Sequence, residues 1–159
     1  MAASSCVLVA ACSSTEHSAV PGPVPVSSSS SSDAVQQYLN AVDALCDGLE
    51  QKINALNGGQ FDIPLKDFLA QLPRHTKLLD DFDRQLAAIV VPPAAAARKR
   101  ALAAYVTFAN KLDAARLRAA RQGAAAYRRE IDAEKKSATS DPSIAGLGAA
   151  GFSQSCQAR

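Results

Sequence analysis

Val35, Leu39, Val42, Cys46, Leu49, Ile53 and Leu56 recur at alternating spacings of four and three residues. That period lays these side chains along one stripe of an α-helix, whereas a strand would scatter them over both faces. A helix with a single apolar stripe has to bury it, so this stretch demands partners. Asp33, with Gln36 three residues later, reads as an N-cap and its capping-box partner, and Asn57-Gly58-Gly59 reads as the stop.

Partners follow along the chain. From Asp62 and Pro64 a second helical pattern presents Leu65, Phe68, Leu69 and Leu72, then Leu79, Phe82, Leu86 and Ile89. Pro73 falls inside it, where a missing N–H and a ring clash predict a kink or break over residues 72–76. Val91-Pro92-Pro93 is a stop, and residues 94–136 then carry Ala, Arg and Leu with Gly123 as almost the only breaker, so one long third helix is expected. Its stripe reads Ala101, Tyr105, Phe108, Leu112, Ala115, Ala119 and Ala126, large first and small later, which lets a neighbour approach its second half closely. Asp141-Pro142 reads as the N-cap and first position of a short helix over 142–149. Ala is about a fifth of the 159 residues, Trp is absent and aromatics are 5 %, so the core is thin and helical. The expected fold is all-α: an antiparallel bundle of three long helices plus a short C-terminal helix, one domain over residues 33–159.

The residues ahead of it differ in kind. Pro21, Pro23 and Pro25 alternate with small residues and lead into a run of serines, a composition that cannot bury enough apolar surface to fold and reads as a disordered tether. Leu8-Val9-Ala10-Ala11-Cys12 closes a small, uncharged, apolar run. This ending resembles the lipobox of bacterial lipoproteins, and the Ala-rich layout behind it is similar to small helical envelope proteins of actinobacterial type. The resemblance implies that residues 1–11 are a signal-peptide remnant, that Cys12 is lipidated at the head of a 12–32 linker, and that the domain is exported and held at the outer face of the cytoplasmic membrane. With no Lys or Arg ahead of the apolar run, the signal is expected to continue upstream of Met1.

Cys6 falls in the remnant and Cys12 at the lipid, which leaves Cys46 and Cys156, the right number for one disulfide in an oxidising compartment. Closing a loop of about 110 residues is worth somewhat under 5 kcal/mol in the chain-entropy model. The alternative is two buried free thiols, since Cys46 lies on the apolar seam.

The formal charge of +2 hides an asymmetry: residues 93–136 hold eleven basic against four acidic side chains, a net +7, and residues 33–57 a net −3. Arg116, Arg118, Arg121, Arg128 and Arg129 concentrate the positive charge. Two readings stay open, mutual complementarity with solvation of the helix faces, or attraction to anionic lipid headgroups or an anionic envelope polymer. Nucleic acid is not expected as a partner of an exported protein.

Little here carries chemistry. Asp80-Asp81-Phe82-Asp83 is the densest carboxylate run, but such positions spread around more than half of a helix and read as solvated surface rather than a metal site. Asp43, Asp47 and Glu50 share a ridge that no His joins, so salt links explain them most simply. His17 lies in the tether and His75 beside Pro73, and the chain has no GxxxxGK, no GxGxxG after a strand, no HExxH and no CxxC. No catalytic residue, metal or cofactor is expected. The reading is a membrane-anchored binding or scaffolding module without catalysis. Its alternative is a small-molecule carrier or cryptic enzyme with an apolar inter-helix pocket lined by Phe68, Phe82, Tyr105 and Phe108.

Overall fold

A computed structural model describes residues 30–157, and every regular element among them is helical. In chain order these are α1 (Ser31–Asn57), α2 (Leu65–Ala88), a 3-10 turn (Pro93–Ala95), α3 (Ala96–Gln122), α4 (Ala124–Ser140), α5 (Pro142–Ala149) and α6 (Gln154–Gln157). The signal remnant, Cys6, the lipidation position Cys12, His17 and the linker up to residue 29 lie outside the described residues.

α1 starts earlier than its expected cap. The Ser30 hydroxyl accepts the Asp33 N–H, and the Asp33 carboxylate accepts the Ser30 N–H at 3.2 Å. This reciprocal Ser-x-x-Asp box satisfies two orphan donors, so Asp33 is its third-position partner rather than the N-cap, and the last serines of the run are helix rather than linker. At the other end Gly58 and Gly59 both take positive φ, 64° and 71°, and the Gly59 N–H closes on the Asn54 carbonyl at 2.8 Å.

The seam of α1 is buried as its spacing predicts. Leu39, Val42, Cys46 and Leu49 are buried together with Tyr38, and Val35 and Ile53 pack half-buried against the same core. Around them gather Phe82 of α2, Leu102 and Tyr105 of α3, Leu147 of α5, and Phe152 and Cys156 at the C-terminal end. A second, smaller core joins Ile63 and Phe68 to Ala120, Tyr127 and Ile131.

α2 runs unbroken through Pro73, so of the expected kink or break the break does not occur. Phe68 on one side of the proline belongs to the smaller core and Phe82 on the other to the main one, so α2 is pinned at both ends and Pro73 itself faces solvent. Burial at two sites outweighs one lost hydrogen bond. Leu69, expected on the stripe, is exposed.

The expected single third helix is instead two. Gly123 sits at φ 106°, ψ 178°, a backbone region that side-chain-bearing residues avoid, and α4 folds back along α3. The small residue Ala120 packs in the smaller core with Tyr127 and Ile131 of α4, and Ala119 beside it in sequence is buried as well. The buried set of α3 is Leu102, Tyr105, Ala109, Arg116, Ala119 and Ala120, broader than the predicted stripe; Ala101, Phe108, Leu112, Ala115 and Ala126 are half-buried. α3 packs along α4 and also, with α5, in the main core, which no single stripe describes.

α5 begins as predicted, Asp141 capping Pro142–Ala149 by accepting the Ser143 N–H at 2.8 Å. Arg98 Nε of α3 donates to the Ala150 carbonyl at 3.1 Å, and α6 then returns to α1.

Candidate functional site

Cys46 and Cys156 are joined, with Cα atoms 4.9 Å apart, so the disulfide fastens α6 to the middle of α1. Asp43, one turn before Cys46, accepts the Ser153 N–H at 2.9 Å and touches Cys156 Sγ at 3.6 Å; a bridged sulfur has no hydrogen to donate. Two side chains of α1 thus hold the C-terminal end. A small cavity of about 60 Å³ lies against the bridge, bounded by Phe82, Leu102 and Tyr105.

The four aromatics expected around one apolar pocket do not converge. Phe82 and Tyr105 line the small cavity, whereas Phe68 lies in the other core against Tyr127, ring centroids 5.2 Å apart. Phe108 is half-buried near Tyr105 and lines neither this cavity nor the cleft described next.

A larger cleft of about 250 Å³ opens between the C-terminal half of α1, the 58–64 loop, α2, α3 and α4. Ile53, Leu79, Ala109 and Leu112 form its apolar wall, and Glu50, His75, Asp113, Arg116 and Glu134 bring charge or titratable groups to it. Arg116 and Glu134 are buried and joined by two hydrogen bonds, Nε to Oε2 at 2.9 Å and Nη2 to Oε1. Burial pushes the Glu134 carboxyl above its ordinary value, and the nearby Asp113 and Glu130 carboxylates push the same way against the pull of Arg116. Phe61, 46 % exposed, roofs the pair, with the Arg116 guanidinium 5.1 Å and the Lys135 ammonium 5.9 Å from its ring centroid. Lys135 also reaches Asp62 at 3.1 Å, so the 58–64 loop is tied to α4. The Tyr127 hydroxyl is buried without a hydrogen-bond partner among the described residues, and burial raises its pKa.

The expected basic surface therefore loses one member. Arg116 points into the protein and is neutralised by Glu134, while Arg118, Arg121, Arg128 and Arg129 are exposed. Among the described residues no α1 carboxylate forms an ion pair, so the acidic first helix and basic third helix do not lock together through salt bridges. Asp81 is bridged by Lys77 at 2.7 Å and Arg84 at 3.0 Å, which lowers its pKa, and no three His, Cys, Asp or Glu side chains converge on a metal position among the described residues.

Sequence reading missed Glu134, Asp113 and Phe61. Phe61 had a signal: an aromatic just after Gly58-Gly59 has no helical stripe to join. Glu134 had one only conditionally, because a reversal at Gly123 brings it back beside Arg116 and an unbroken helix does not. No protein-family model, no curated protein and no solved structure matches this chain.

Proposed function

We propose that this chain is a cell-envelope lipoprotein, lipidated at Cys12, whose antiparallel helical bundle is displayed behind a disordered tether as a non-catalytic binding or scaffolding module. The observation that carries the reading is the Cys46–Cys156 bridge behind a lipobox-like run. A disulfide persists on the oxidising side of a membrane, and that is where a processed lipoprotein resides. Arg118, Arg121, Arg128 and Arg129 form its electrostatic contact surface for an anionic envelope polymer or headgroup layer.

Intact mass of the protein extracted from its native membranes, with and without reduction, tests this. A chain starting at Cys12 with acyl groups, and two thiols that react only after reduction, supports the anchor and the staple together. An unprocessed, water-soluble chain with free thiols removes the reading and returns nucleic acid as a partner for the basic helices.

The cleft beside the Arg116–Glu134 pair favours a second reading, a carrier of a small ligand. It is a different cavity from the aromatic pocket first expected, mixed in polarity and roofed by Phe61. Native mass spectrometry of protein from its own host distinguishes the two: a retained small molecule supports the carrier, and its absence leaves the module.

A further inference from the structure

Residues 86–97, Leu-Ala-Ala-Ile-Val-Val-Pro-Pro-Ala-Ala-Ala-Ala, contain no charge, and they turn the chain from α2 into α3. Their inward side chains, Ala95 with the half-buried Ile89 and Val91, pack in the main core with Val35 and Tyr38 of α1. The outward ones are apolar too: Ala87, Ala88, Pro93, Ala94 and Ala97 are exposed, and Val90 is 86 % exposed. Lys99 and Arg100, both exposed, follow at once on α3. An apolar groove of about 360 Å³ opens beside the turn, lined by Leu86, Val91, Leu102 and Lys99, with Asp83 its one carboxylate.

Where this turn lies matters. Tyr38 and Val91 share the groove, so the turn is at the end of the bundle where α1 begins and where the chain leads back to Cys12. The residues between Cys12 and Ser30 span about 50 Å when extended, ample to let this end reach the surface that holds the lipid. Arg121 stands at the opposite end of α3, about 33 Å from Lys99 at 1.5 Å per helical residue.

We propose that this end of the bundle docks on an anionic bilayer, with Val90 at headgroup depth and Lys99 and Arg100 against lipid phosphates. The proposal takes its setting from the lipoprotein reading: the acyl anchor keeps the domain at the bilayer, where a weak insertion is sustained by the high effective concentration. An apolar tip backed by basic side chains matches both layers of such a surface: the tip leaves water for the acyl boundary, and the cations stay with the phosphates. In this orientation Arg121, Arg128 and Arg129 are held away from the bilayer and are left for an envelope polymer.

The chain has no Trp, so Val90→Trp makes a lone reporter at the tip. The oxidised full chain with Cys12→Ser, which carries no acyl group, is titrated with vesicles of phosphatidylcholine containing one-third phosphatidylglycerol and with phosphatidylcholine alone. The expected result is a blue-shifted emission with the anionic vesicles only, and a partition weaker by at least about thirty-fold after Lys99→Glu with Arg100→Glu. Arg128→Glu with Arg129→Glu leaves it unchanged. Sedimentation without the reporter guards against binding made by the Trp itself, and there Val90→Ser weakens the association. Absence of binding to the anionic vesicles, or an equal or larger loss from the Arg128 and Arg129 reversals, overturns the proposal. Failure of the lipid anchor shows in the intact mass of native protein and not in this titration, so the two readings fail separately.

Discussion

Arg116 and Glu134 lie eighteen residues apart in sequence and face each other across the hairpin of α3 and α4 as a buried, bidentate ion pair. The pair is the polar counterpart of the disulfide: one ties α3 to α4, the other α1 to α6. Breaking a buried pair by removing one partner strands a charge in a low-dielectric site, which costs about 3–5 kcal/mol. Glu134→Leu and Arg116→Met are each expected to lose that much in chemical denaturation. The double replacement Arg116→Met with Glu134→Leu recovers most of it, because no charge is then left buried. A double variant no more stable than the singles would show that the pair's geometry, and not its charge, holds the hairpin.

The same carboxyl sets a pH dependence. Glu134 is held above its ordinary 4.5, so the folded protein binds that proton more tightly than the unfolded chain does. Its contribution to stability is present below the ordinary value and is lost as pH rises through the raised one. Asp81 and Asp141 are held low by hydrogen bonds and work in the opposite sense, their contributions being lost as pH falls through their depressed values. Unfolding free energy of the wild type minus that of Glu134→Gln should therefore decline with pH above about 4.5 and then level off. A difference that instead climbs with pH across the acid range would mean that Arg116 dominates and the carboxyl is held low.

Gly123 and Gly48 respond to alanine with opposite signs. At Gly123, φ 106° with ψ 178° puts a β-carbon into a backbone region that costs about 1–3 kcal/mol, so Gly123→Ala destabilises the reversal between α3 and α4. Gly48 is inside α1 with nothing within 4 Å of an added β-carbon, so Gly48→Ala stabilises by about 0.5–1 kcal/mol. Thermal melts of the two variants settle the order.

The disulfide closes a sequence separation of 110 residues, and its removal releases α6 and Phe152 from the core. Cys46→Ser with Cys156→Ser is expected to lose about 2–5 kcal/mol, read as a fall in the denaturation midpoint. Reducing agent should lower the wild-type midpoint to that of the double variant and leave the variant itself unmoved.

What could be read from the chain alone was what depends on local period and turn chemistry. The seam from Val35 to Ile53, the stop at Gly58-Gly59 and the Asp141-Pro142 start of α5 declare themselves in spacing and capping residues, whereas the pairing of Cys46 with Cys156 was expected only because the lipobox resemblance set Cys6 and Cys12 aside. What was decided by tertiary packing is whatever pits a small local cost against burial. A glycine within a long Ala-rich run costs only about 1 kcal/mol as helix, so sequence favours continuity at Gly123; burying Tyr127 and Ile131 against Ala120 outweighs that and folds the run back. Pro73 is the reverse case, a strong local breaker kept in one helix because Phe68 and Phe82 are buried on either side of it. Arg116 follows from the first of these outcomes: in an unbroken helix it is one more exposed cation, and only the return of α4 brings Glu134 close enough to bury it.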